Sequence, residues 1–171
     1  TTPSWPTKEN PVATYSGTPK TWTAGETLLA SDFNAEIRDP LAALAGASTA
    51  YTPTISGFTL GNGTVTGKYL RVGKLVAFTA QFTFGSSSAA AAAPCGFTLP
   101  VTSAANNPWA QWATFTDTGG TTYQAQPFIS TLCTVYGIAA ATSAIQSPST
   151  TYPFTWATGD IVRCGGIYEA A

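Results

Sequence analysis

Between Leu75 and Phe84 the sequence alternates in a way that only an extended strand satisfies. Val76, Phe78, Ala80, Phe82 and Phe84 fall on one side, and Ala77, Thr79, Gln81 and Thr83 on the other. Successive side chains of a strand point to opposite faces, so a period of two with one nearly all-apolar side describes a strand that lines a core. A helix would scatter the same residues around its axis. The pattern also fixes register, because a slip of one residue would turn every phenylalanine to water. The preceding run, Thr64–Val72, meets this strand across Gly73, which predicts a hairpin with a tight turn at Val72, Gly73 and Lys74.

Beyond Ala50 the same punctuation continues. Clusters of Gly, Pro, Asn and Ser separate short runs rich in Val, Ile, Thr, Phe and Tyr. Further strands are predicted over residues 52–60, 96–101, 110–115, 122–126, 128–136, 154–157 and 161–168. Together they predict a mainly β domain over residues 51–171, a β-sandwich or jelly roll. The Ser/Ala stretch at 86–93 reads as a long loop. Gly61-Asn62-Gly63 reads as a turn, since neither a helix nor a Lys follows to cradle a phosphate.

Upstream the pattern changes. Residues 1–30 carry Pro3, Pro6, Pro11 and Pro19 among Thr, Ser and Gly, with Trp5, Tyr15 and Trp22 at wide intervals, and read as an extended arm. Its aromatics either anchor in pockets on a neighbouring subunit or fold back onto their own domain. Residues 31–46 predict a short helix, with Ser31 as N-cap, Asp32 in the first turn, an apolar stripe of Phe33, Ile37, Leu41 and Leu44, and Gly46 at the end. Asp39-Pro40 is also a good N-cap and first helical position, so a kink or two abutting helices is expected there. So narrow a stripe needs a partner, either its own β-domain or the same helix in neighbouring subunits. Residues 1–50 therefore read as an extended arm followed by a short kinked helix. Trp5, Trp22, Phe33, Ile37, Leu41 and Leu44 are the candidate oligomer or particle interface.

Composition narrows the function. Only 9% of residues are charged and the net charge is −1, against about 25% charged in ordinary soluble domains. Surfaces this neutral favour assembly. The seven Lys and Arg are scattered and form no basic stripe, which argues against nucleic acid. No 18 apolar residues run together, so no membrane-spanning helix is expected. There is no Met, and the mature chain is expected to begin after a removed initiator Met or a cleaved signal. Cys95, Cys133 and Cys164 are far apart and form no C-x-x-C pair, which favours buried free thiols over a zinc or redox site.

Catalytic chemistry finds little to work with. Without His there is no ordinary neutral-pH base for a Ser, Cys or Thr nucleophile and no imidazole for a metal. A two-carboxylate glycosidase would have to draw on Asp117, Asp160 and Glu169. Asp117 lies in Asp-Thr-Gly-Gly and Asp160 follows Thr-Gly, both turn sequences, while Glu169 is nearly terminal. Trp109, Trp112 and Trp156 suggest a sugar-stacking platform, but Trp109 and Trp112 are three apart. On a regular strand they face opposite sides, which places at least one in the core.

Two sets of segments resemble a known family. Trp22-Thr-Ala-Gly-Glu-Thr-Leu-Leu-Ala-Ser-Asp-Phe-Asn-Ala-Glu-Ile-Arg-Asp39 resembles a segment near the N-terminus of many structural proteins of tailed phages, especially those of actinobacterial hosts. Gly67-Lys-Tyr69-Leu-Arg-Val-Gly73-Lys-Leu-Val76, Phe97-Thr-Leu-Pro100-Val, Gly159-Asp160 and Gly166-Ile-Tyr168 are similar to a β-module of the same virion proteins. The resemblance implies a non-enzymatic virion component without metal or cofactor, commonly a homotrimer assembled in the host cytoplasm, attached through its N-terminal part and displaying its β-domain. A compact chain without a shaft points to a capsid decoration protein, with the major capsid protein as partner. A minor tail protein or adhesin, or a carbohydrate-binding β-sandwich module, is the alternative, with a glycan as the further partner.

Overall fold

A computed structural model describes residues 21–27, 29–39, 41–42, 46–91, 93–139 and 144–171, with the backbone alone at 105–108. The chain divides into two compact units, Thr1–Ala47 and Ser48–Ala171. The division falls three residues before the expected boundary because Thr49–Tyr51 already forms the first strand, β1.

The second unit is the expected β-domain. After β1 come two short strands, β2 (Ile55–Ser56) and β3 (Phe58–Thr59), and then the predicted hairpin of β4 (Thr64–Val72) and β5 (Leu75–Thr83). Gly73 sits in the two-residue turn with φ +58, a conformation that glycine adopts without strain. Next are β6 (Ala89–Ala90), β7 (Cys95–Thr98), the long β8 (Ser103–Thr116), β9 (Thr122–Ile129), β10 (Leu132–Ile138), β11 (Ile145–Gln146) and β12 (Ile161–Ala170).

Ten strands form one antiparallel sheet in the order β1-β4-β5-β12-β8-β9-β10-β7-β2, with β11 also on β10; β3 and β6 pair separately. The layers of the domain thus belong to one curled sheet. Its curl brings distant strands together, so that Ile129 of β9 packs against Gly166 of β12 with β8 between them in the sheet. The inner face is one core, including Val76, Phe78, Phe82, Phe97, Phe115, Val135, Val162 and Tyr168. At one end Trp156 is the hub of an aromatic cluster, stacked on Phe84 at 4.7 Å and edge-on to Phe58 and Phe115 at 5.4 and 5.5 Å.

Three expectations for individual segments are corrected. Residues 154–157 are not a strand. They cross as an irregular segment that lays Phe154 and Trp156 over the core, with Trp156 Nε1 donating to the Ser149 carbonyl at 2.9 Å. The stretch 86–93 is not wholly loop, because Ala89–Ala90 pairs with β3. The hairpin in the 122–136 region turns at Ser130 and Thr131, and Pro127 stays inside β9. Pro127 lies past Ala125, where β9 has parted from β8 and pairs with β10 alone, so one side of the strand needs no amide.

Three glycines inside the strands are covered by aromatic rings. A Cβ on Gly67 would lie 2.4 Å from the ring of Tyr51, one on Gly137 2.5 Å from Tyr152, and one on Gly165 2.8 Å from the indole of Trp112. Each ring fills the space left by the missing side chain, which offsets the usual weakness of glycine in a strand.

The alternation in β5 is realised: Phe78 is buried and Thr79 exposed. Phe78→Ala is expected to cost about 3–5 kcal/mol, the range for removing a buried Phe, and Thr79→Ala less than about 1 kcal/mol, in thermal or urea melts. Equal costs would contradict this placement. A second prediction concerns Tyr168, whose hydroxyl donates to the Val101 carbonyl at 2.7 Å. Burial pushes its phenol up to about 12, against the opposing pull of the Val101 N–H, which donates to the phenol oxygen at 3.3 Å, and of the charge of Arg71. A raised folded value means that the neutral phenol's stability contribution is intact below pH 10 and lost as pH rises through about 12. Stability measured in urea should fall between pH 10 and 12, and Tyr168→Phe should flatten that fall while costing about 1 kcal/mol at pH 7.

Candidate functional site

The described candidate interface residues of the first unit are exposed. The helix, α1, runs Ala30–Phe33 in α geometry and continues as a π turn over Asn34–Arg38, and none of these residues is buried. Its N-cap is Leu29 and not the expected Ser31, which lies within the first turn; no side chain caps that end. Asp39 keeps helical angles, φ −70 and ψ −41, and is not the N-cap of a second helix. Its N–H reaches back five residues to the Asn34 carbonyl, which closes a widened turn; Pro40, where the kink is expected, lies outside the described residues. Phe33, Ile37 and Leu41 are 45%, 44% and 59% exposed, and Trp22 is also exposed. Trp5 and Leu44 lie outside the described residues.

The outer face of the sheet carries a second feature, built by register. Ala50, Lys68, Thr79, Gly165 and Trp112 stand in one row across β1, β4, β5, β12 and β8. Thr66, Gln81, Arg163 and Thr114 form the next. Small side chains in the middle and tall ones at the sides make a trough of about 590 Å³ bounded by Trp112, Lys68 and Arg163. Arg163 Nε donates to Gln81 Oε1 at 2.7 Å, and Gln81 Nε2 donates to Thr83 Oγ1 at 3.0 Å, which fixes the guanidinium and the amide in place. Among the described residues no carboxylate lines the trough. Beyond Trp112 lies a smaller hollow of about 320 Å³ with Thr114, Gln124 and Gln126 on its walls.

The expectation that Trp109 or Trp112 is core is overturned, since both are exposed. Trp112 faces out because its neighbours Ala113 and Phe115 alternate with it and face in. Trp109 escapes the core through a bulge: Ile167 pairs with Ala110 and Tyr168 with Pro108, leaving Trp109 without a partner across the ladder. Trp156 belongs to the core cluster. Lys68, Gln81, Arg163 and Gly165 were not singled out from the sequence. They lie on three different strands, and only the strand order brings them beside Trp112.

The carboxylates of the domain serve turns. Asp160, 1% exposed, accepts from the backbone N–H of Thr118 at 3.0 Å, the Thr118 hydroxyl at 3.1 Å and the N–H of Ala157 at 2.6 Å. Asp117 accepts from the Gly119 N–H at 2.9 Å, and Glu169 is 3.8 Å from Lys74. The three cysteines are free and buried. They are distant in sequence but adjacent in the core, where Cys164 shares a hydrogen bond with Cys133, and burial pushes the thiols of Cys95 and Cys164 up. Among the described residues no group of three or more His, Cys, Asp or Glu is placed to hold a metal.

Asp160→Ala should cost about 3 kcal/mol in a thermal melt, because it strips three donors of a buried charged acceptor, whereas Asp117→Ala should cost about 1 kcal/mol. Similar values for the two would show that Asp160 does not tie the two turns together.

No protein-family model matches the chain, and neither a curated protein nor a solved structure matches it.

Proposed function

We propose that the protein is a non-enzymatic structural component of a tailed-phage virion, a trimeric capsid decoration protein that attaches through residues 1–50 and displays its β-domain. The observation that carries the oligomeric part is the apolar stripe of Phe33, Ile37 and Leu41, exposed on a helix with no buried residue. A helix this short is marginal in water by itself. Three copies of the stripe packed about an axis would stabilise it and remove apolar surface from water in a closed, symmetric interface. The particle assignment rests on the resemblance of residues 22–39 and of the β-segments to virion structural proteins. The low charge of the chain supports it, since neutral surfaces suit a protein that lives in an assembly.

Light scattering on the purified chain is expected to give three times the 17.6 kDa chain mass. Ile37→Asp should reduce it to a monomer without changing the melt of the β-domain. A wild-type monomer at micromolar concentration, with no trimer contacts in imaged particles, overturns the trimer. Electron cryomicroscopy of intact particles should place the protein on the capsid; density on the tail instead overturns the decoration role, and its absence from particles overturns the virion reading.

A further inference from the structure

We propose that the trough beside Trp112 binds an acidic saccharide, with the indole as its stacking surface and Lys68 and Arg163 as the partners of its anionic group. The site lies within one β-domain and does not depend on the trimer.

A pyranose presents an apolar face of C–H groups and a rim of hydroxyls, so it needs an exposed aromatic surface next to fixed planar hydrogen-bonding groups. The trough supplies both. Trp112 is 45% exposed yet held in place, because its Nε1 and Cε2 lie where a Cβ of residue 165 would be, within 2.8 and 2.9 Å. Any side chain at Gly165 would lift the ring off the strand. An aromatic surface held in this way loses little side-chain freedom on binding. Beside it, the Gln81 amide and the Arg163 guanidinium are already oriented by their mutual hydrogen bond and by Thr83. The hydroxyls of Thr66 and Thr79 complete the polar floor.

Charge selects among saccharides. Lys68 and Arg163 place two positive charges on a trough that no carboxylate lines among the described residues, in a domain that otherwise has few ions. A neutral sugar would leave both cations without a counter-charge, whereas a uronate or another carboxylate-bearing sugar would meet them. Two cations fall short of what a nucleic-acid backbone needs, which is a run of phosphate partners. The volume, about 590 Å³, lies in the usual range for ligand sites. Because Trp112 also borders the hollow that holds Gln124 and Gln126, a ligand stacked on the indole reaches polar groups on both sides. The site therefore suits at least two linked sugar units.

The test is a glycan array carrying carboxylate-bearing and neutral oligosaccharides, probed with the full-length protein, with hits measured by calorimetry. The expected result is binding confined to acidic glycans, weakened at least about tenfold by Trp112→Ala and by Arg163→Gln, and weakened by added salt. Arg163→Gln should melt like the wild type, since its side chain faces outward, whereas Trp112→Ala uncovers Gly165 and should melt lower; should Trp112→Ala misfold, Arg163→Gln and Lys68→Gln carry the test. Absence of any acidic-glycan binding overturns the proposal. So does equal binding of neutral glycans, or acidic binding that none of these variants changes. Because the array reads the domain and light scattering reads the helix, failure here leaves the trimer proposal standing, and the reverse holds as well.

Discussion

The domain depends on the insertion of β12 between β5 and β8. Its backbone is paired along nine residues to β5 on one side and along most of its length to β8 on the other. Without it, the β4–β5 hairpin and the β8–β9–β10 meander would be two separate ribbons, each with an apolar face and an open edge. With it they become one sheet that curls and encloses a core. β12 comes last of the strands in chain order and pairs with partners tens of residues upstream. Closure therefore waits on long-range contacts, a topology associated with slow folding.

That arrangement divides the labour between the two faces of each strand. Inward positions on β5, β8 and β12 hold Phe78, Phe82, Phe115, Val162 and Tyr168, and the aromatic cluster around Trp156 seals one end. Outward positions are under no packing demand from the core and carry Thr, Gln, Lys, Arg and the exposed indole of Trp112. The few charges of the domain are placed where they serve a local purpose. Asp160 ties the turn at residues 157–160 to the turn that follows β8, and Arg163 holds Gln81.

The sequence made legible what depends on short-range periodicity. The β4–β5 hairpin matches its predicted bounds to within one residue, and β12 begins at the predicted Ile161 and runs two residues past the predicted end. The failures have physical causes. The segment 154–157 is aromatic-rich and reads as a strand, but its rings are drawn to the end of the core, where no neighbouring strand is free to pair with it. The expectation that one of Trp109 and Trp112 is core assumed a regular strand, and a bulge beside Pro108 shifts the parity of β8. Ser31 looks like an N-cap by residue type, yet the helix begins at Ala30. The trough was illegible for a different reason: its walls come from five strands whose order, with the last strand inserted between β5 and β8, is set by tertiary pairing and not by proximity along the chain. Thr79 and Gln81 were read from sequence only as outward positions of a strand, and Trp112 alone was weighed as a binding residue.

The rings laid over strand glycines have a consequence for how this domain can diverge. At Gly165 a methyl group would collide with the Trp112 indole and with the Phe78 carbonyl, and loss of the indole would bare the glycine and weaken the strand. Neither position can change well by itself. The two form a unit of inheritance, so a surface tryptophan that would ordinarily drift is retained by the needs of the sheet beneath it. A lineage carrying this fold keeps an exposed aromatic platform at this spot whether or not selection has found a use for it, while the neighbouring outward positions remain at liberty to vary around it.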